Sequence, residues 1–142
     1  MKWYFASRTR HQGKLADLSG QLENLGEEIA SQWVYITDSL KPYHEHPDKV
    51  HPIAEMDIRG AFGCDVFVLI SDPEGTDMFA ELGAALAKAA LSPEKITVYV
   101  VGEHAKRSLI QCHPAITHVS TVRDVLMREH INTENIVVPD FV

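Results

Sequence analysis

The sequence predicts an α/β protein: one domain over residues 1–142, built on a mainly parallel five-stranded sheet with helices on both faces. Three observations predict it. Short apolar runs alternate with segments of helical period along the whole chain, the pattern of βαβ units. The run Val66–Ile70 is apolar at every position, as suits a central parallel strand covered on both sides. The chain shows no repeat, low-complexity tract or linker, and 142 residues bury a sizeable core without staples.

Each element has its own signal. Residues 3–6, aromatic and apolar, read as the first strand. Leu15, Leu18, Leu22, Leu25 and Ile29 follow at spacings of 3, 4, 3 and 4, one stripe of an amphipathic helix, with Gly26 near its end as a candidate cap or fraying point. Residues 33–36 read as the second strand. Residues 37–52 hold three prolines and no period, and read as a long loop of the kind that often forms a lid or binding segment. A helix is expected over about residues 53–62, and the third strand over 66–70. An alanine-rich helix follows over 78–90, a fourth strand over 96–101, a short fifth over 116–119 and a last helix over 122–129. Right-handed crossovers make this a doubly wound sheet, flavodoxin- or Rossmann-like, with its ligand beyond the carboxyl ends of the strands. That rule selects Ser7-Arg8-Thr9, the segment from Ser71 to Asp77, and Gly102-Glu103.

The formal net charge of −7 argues against a nucleic-acid binder, which needs a basic footprint. It does not exclude a small anionic ligand held by a local basic group. Cys64 and Cys112 are too few for a disulfide framework and have no metal-site spacing, so they read as free thiols in a reducing compartment. The start MKWYFASRTR does not read as a signal peptide, and no window approaches a membrane span. A cytoplasmic location is expected. The loosely spaced, proline-laden His44, His46 and His51 do not make a metal site, and no metal is expected.

Glu81 is the acidic residue that stands out. It lies one turn into the helix after the third strand, among Met78, Phe79, Ala80, Leu82, Ala84 and Ala85. A carboxylate in so apolar a setting is either an idle helix glutamate or a functional group near the ligand crevice. Asp57, beside Met56 and Ile58, is open in the same way, a solvated helix aspartate or a functional one. Asp65 reads as a cap for the turn before the third strand. Gly75 permits close approach of backbone to a ligand, and Thr76 is placed to cap the next helix, whose N-terminus attracts anions. Ser7 and Arg8 end the first strand, with a hydroxyl and a guanidinium for a phosphate or sugar, unless Arg8 is a plain surface arginine.

KWYFASR, AEMDIRGAFGCDVFVLISDP, GTDMFAELGAALA and the segment from His113-Pro114 to Leu126 resemble, in that order, the nucleoside 2-deoxyribosyltransferases and the related 2′-deoxynucleoside 5′-monophosphate N-hydrolases. The resemblance implies Glu81, in Glu81-Leu82-Gly83, as nucleophile. It implies Asp57, eight positions before Asp65, as acid/base, and Tyr4 as the group that orients the nucleophile. Ser7, Arg8, Ser71, Gly75, Thr76 and Asp77 are the expected substrate contacts. A small-molecule nucleoside or nucleotide, no cofactor, and a homo-oligomer with sites completed by a neighbour are implied too. The turn after the first strand departs from the hydrolases in lacking glycines; Arg8 and Arg10 stand there. Glu74 or Asp77 is the candidate for the further acidic residue of the transferases. Two other readings compete. One is a non-catalytic nucleotide sensor on the same fold. The other is a phosphoribohydrolase-like enzyme, whose Gly-Thr-x-x-Glu motif is not met, because four residues separate Thr76 from Glu81.

Overall fold

The computed structural model describes residues 1–141. Five strands, β1 (Lys2–Ala6), β2 (Glu28–Ile29), β3 (Val66–Ile70), β4 (Thr97–Val101) and β5 (Ile116–Val119), form one sheet in the order β2-β1-β3-β4-β5. Every pairing is parallel. Four α-helices connect or follow them: α1 (Gln12–Asn24), α2 (Pro47–Gly63), α3 (Asp77–Leu91) and α4 (Val122–Arg128).

Strand periodicity divides the core between the two faces. Trp3, Phe5, Val66, Val68, Tyr99 and Val101 meet Leu15, Leu18 and Leu22 of α1 and Val125 and Leu126 of α4. Tyr4, Ala6, Phe67, Leu69, Val98 and Val100 meet Ala61 of α2 and Met78, Leu82, Ala85 and Leu86 of α3. The fold is thus doubly wound, as the sequence predicts. Each fully buried leucine of these layers contributes about 1.5–3 kcal/mol relative to an exposed one.

Three expectations need correction. First, Ile29 is not part of the first helix. Gly26, at φ 92°, ends α1 in a Schellman motif, with Glu27 N donating to Leu22 O at 3.0 Å and Gly26 N to Glu23 O at 2.9 Å. Ile29 then falls in β2. Second, residues 33–36 are not a strand. Gln32–Tyr35 is a 3-10 turn, because side chains take the places a longer β2 would fill. Ser31 Oγ accepts from Phe5 N at 3.0 Å, and the Trp33 indole donates to Phe5 O at 2.8 Å. Third, the loop is shorter than 37–52. Pro47 stands at the first helical position of α2, where the missing N–H costs nothing, and Pro52 is carried within the helix.

Candidate active site

In this strand order the winding of the sheet switches sides between β1 and β3, and the rule for open α/β sheets puts the ligand at that switch point. A cleft of about 880 Å³ opens there, a volume suited to a small organic ligand. Its wall comes from the turn after β1 (Ser7, Arg8, Thr9), the loop before α3 (Glu74, Gly75, Thr76, Asp77), and α2. Val50, Ile53, Ala54 and Asp57 of α2 line it at helical spacing, one stripe of that helix.

Three side chains converge on this wall. Tyr4 points from β1 to the α2/α3 side and is fully buried. Its hydroxyl donates to Glu81 Oε1 at 2.9 Å. Glu81 is 8% exposed yet reaches the cleft from the first turns of α3. Burial lifts its carboxyl from its ordinary 4.5 to about 8, against the Tyr4 hydrogen bond, which favours the ionised form, and with the help of Asp57 and Asp77. Asp57 is half-buried and lines the same cleft. Burial raises it to about 6; the Tyr4 hydroxyl lowers it and Asp77 raises it. Asp57 Oδ1 is buried without a hydrogen-bond partner, a polar atom aimed at an unfilled need. Burial, then the charges of Glu81 and Asp57, hold the Tyr4 phenol far above its usual range, so it remains a donor.

Gly60, three residues beyond Asp57, sets how closely α2 approaches β1. A Cβ there would stand 3.0 Å from the Tyr4 ring and from Ala30 O. The missing side chain lets the Asp57 turn of α2 settle against Tyr4.

The other expected contacts divide. Ser7, Arg8, Gly75, Thr76 and Asp77 line the cleft. Gly75 takes φ 117°, which only glycine adopts at little cost, while Thr76 heads α3 without a side-chain cap, contrary to expectation. Ser71 does not line the cleft: it is buried, its Oγ accepts from His104 N at 3.2 Å and it packs against Gly102. Gly102 and Glu103 also lie outside the lining. Asp65 Oδ2 accepts from Lys2 N at 2.7 Å, so it ties the start of β1 to the approach to β3 instead of capping the preceding turn as the sequence suggests.

The 37–52 segment, read as a lid or binding segment, does contribute Asp38, Lys41 and His51 to the lining, whereas Gln12 and Trp33 carried no sequence signal for it. Gln12 Nε2 donates to Trp33 O at 2.9 Å and so fixes the 3-10 turn beside the cleft. Outside the lining, Asp72 is 1% exposed and pairs with Arg10. Burial opposes its charge, but the Glu74 amide and the Arg10 and Arg8 guanidiniums outweigh it and hold the carboxyl below its ordinary range. Cys64 is buried, its thiol pushed up to about 12 by burial, and Cys112 is exposed; both are free. Among the described residues no group of three or more His, Cys, Asp or Glu is arranged to hold a metal. No helix among them is long and apolar enough to cross a membrane.

The fold has a solved counterpart. It is a CMP N-glycosidase, BcmB, from Clostridium botulinum, similar with a TM-score of 0.57 at 15% identity over 92% of this chain and 98% of that one. At that identity the likeness is one of fold. No protein-family model matches the sequence, and no curated protein matches it.

Proposed function

We propose that this protein cleaves the N-glycosidic bond of a 2′-deoxynucleoside or deoxynucleotide through a covalent ester on Glu81. The observation that carries the reading is the Tyr4–Glu81 hydrogen bond in a cleft that Asp57 also lines. The two-carboxyl requirement of retaining glycoside cleavage supports it. So does the fold neighbour, a CMP N-glycosidase.

In the first step the Glu81 carboxylate attacks C1′ as the C1′–N bond breaks. The bond's electron pair leaves with the base, which takes a proton from Asp57. In the second step the N–H of an incoming base, or water, gives its proton to Asp57 and attacks C1′, releasing Glu81 as carboxylate. A base as acceptor gives transfer; water gives hydrolysis. The reaction needs one ionised and one protonated carboxyl. With burial raising Glu81 to about 8 and Asp57 to about 6, the pair holds a single proton near neutral pH. By those values the resting proton sits on Glu81; positive charge developing at C1′ favours its transfer to Asp57, with Tyr4 then donating to ionised Glu81. The residues shown here supply nucleophile, acid/base and orienting donor from the chain itself.

The test is incubation with each deoxynucleoside and its 5′-monophosphate, with and without a second base, followed by chromatography for free or exchanged base. Exchange marks transfer, and free base alone marks hydrolysis. Glu81→Ala is expected to abolish base release while circular dichroism shows the fold intact. Unchanged release by that variant overturns the mechanism.

A further inference from the structure

We infer that Glu74 sets the substrate class of this cleft: by holding Arg8 it turns away a 5′-phosphate, and the site takes an unphosphorylated nucleoside. The inference rests on the N-glycosidase reading and narrows it. A phosphate subsite needs a guanidinium or ammonium that is not already matched, or a helix N-terminus that still lacks negative charge. The end of β1 looks suited, with Arg8 and Arg10 on either side of Thr9, but both are engaged. Arg8 Nη1 lies 2.9 Å from Glu74 Oε2 and 3.7 Å from Asp72 Oδ1. Arg10 Nε lies 2.6 Å from Asp72 Oδ2.

The pair is seated on a buried anchor, although the Glu74 side chain itself is 71% exposed and Arg8 39%. Asp72 is buried and held by Arg10 Nε at 2.6 Å. Its Oδ1 accepts from Glu74 N at 3.0 Å, which fixes the backbone from which Glu74 reaches Arg8. The Arg8 stem is seated as well: a Cβ on Gly75 would lie 3.3 Å from Arg8 Cγ, so the arginine runs close over that glycine. The neighbouring helix end offers no substitute. Asp77 stands in the first turn of α3 and already supplies the negative charge that the helix N-terminus favours.

Charge balance in the cleft points the same way. Asp38, Glu74, Asp77 and the singly protonated Asp57/Glu81 pair line it, against the cations of Arg8 and Lys41. A phosphate dianion would have to displace Glu74 from Arg8 and then sit beside Asp72 and Asp77. A 5′-hydroxyl meets no such repulsion and donates to a carboxylate.

The experiment compares kcat/KM for one deoxynucleoside and its 5′-monophosphate in the wild type and in Glu74→Gln. The wild type is expected to favour the nucleoside by about tenfold or more, about 1.4 kcal/mol. Glu74→Gln leaves Arg8 less well matched, and the ratio is expected to move about tenfold toward the monophosphate, through its KM. A wild type that prefers the monophosphate, or a ratio unmoved in the variant, overturns the inference while base release still upholds the N-glycosidase reading. Absence of base release from either compound overturns that reading instead. Calorimetric Kd values of wild type for the two compounds then decide the inference apart: tighter nucleoside binding upholds it, tighter monophosphate binding overturns it.

Discussion

The hydroxyl of Tyr4, on the first strand of the chain, donates to Glu81 Oε1 across 2.9 Å although the two stand 77 positions apart in sequence. This bond gives Glu81 one rotamer and favours its charged form. A hydrogen bond to a charged group is worth about 1.5–3 kcal/mol, so Tyr4→Phe is expected to lower kcat by about 10- to 100-fold. Loss of the donor also lets both carboxyls rise, since the hydroxyl lowers each. The pH profile of the variant is therefore expected to move to higher pH. A profile that stays in place with reduced kcat would assign Tyr4 to packing alone.

For the wild type, kcat/KM is expected to be bell-shaped, with limbs near pH 6 and pH 8. Below the lower limb both carboxyls are protonated and no nucleophile remains; above the upper limb neither holds the proton for the leaving base. A rate that climbs steadily from pH 5 to pH 9 would contradict a shared proton.

Asp57→Asn removes the proton donor and leaves the nucleophile. The variant is expected to lose about 10²- to 10⁴-fold on an ordinary deoxynucleoside. It should lose far less on one whose base departs without protonation, such as a nucleoside with a cationic base. Equal losses on both substrates would exclude Asp57 as the acid.

Glu81 also affects stability, with a definite sign. Its carboxyl stands at about 8 in the folded chain against an ordinary 4.5. A raised acid favours folding below about pH 4.5, and that contribution drains away as pH rises to about 8. Glu81→Gln is thus expected to match wild type in Tm at pH 4 and to exceed it increasingly up to pH 8, with no further gain above. Thermal melts across pH 4–9 measure it. A Tm advantage confined to acid pH would reverse the sign and refute the burial argument.

Gly60→Ala is expected to cost about 1–3 kcal/mol, because the added methyl stands 3.0 Å from a backbone oxygen and a fully buried ring and neither yields freely. The displaced α2 carries Asp57 with it. Turnover of ordinary substrates should fall more than turnover of those that need no proton donor. Chemical denaturation and the two rates together separate this outcome from simple loss of folded protein.

Much of this was legible in the sequence, for physical reasons. Val66–Ile70 is buried at all five positions, and a continuous apolar run has few other uses in a chain of this size. Glu81 was legible because a carboxylate amid alanine, leucine and methionine conflicts with its surroundings. Trp33 misled because an aromatic run has the composition of a strand; that its indole instead satisfies Phe5 O is a tertiary fact with no local signal. The start of α2 was hidden by prolines, although the cleft-facing stripe of Val50, Ile53, Ala54 and Asp57 was available to a count at helical spacing. Ser71 was placed in the crevice by the strand-end rule, which fixes a region and not the direction of a side chain. The pairing of Arg8 with Glu74 depends on how two separate loops meet, which no local pattern encodes.

The side chains that stand in for a longer β2 have an effect beyond the cleft. Beyond Trp3, the outward-facing N–H and C=O of Phe5 are occupied by a serine hydroxyl and an indole. A strand from another molecule that approached this border would find both groups taken and a bulky ring in its way. That stretch of β1 is thereby guarded against edge-to-edge pairing, by the same indole that lines the ligand cleft and by its neighbour Ser31.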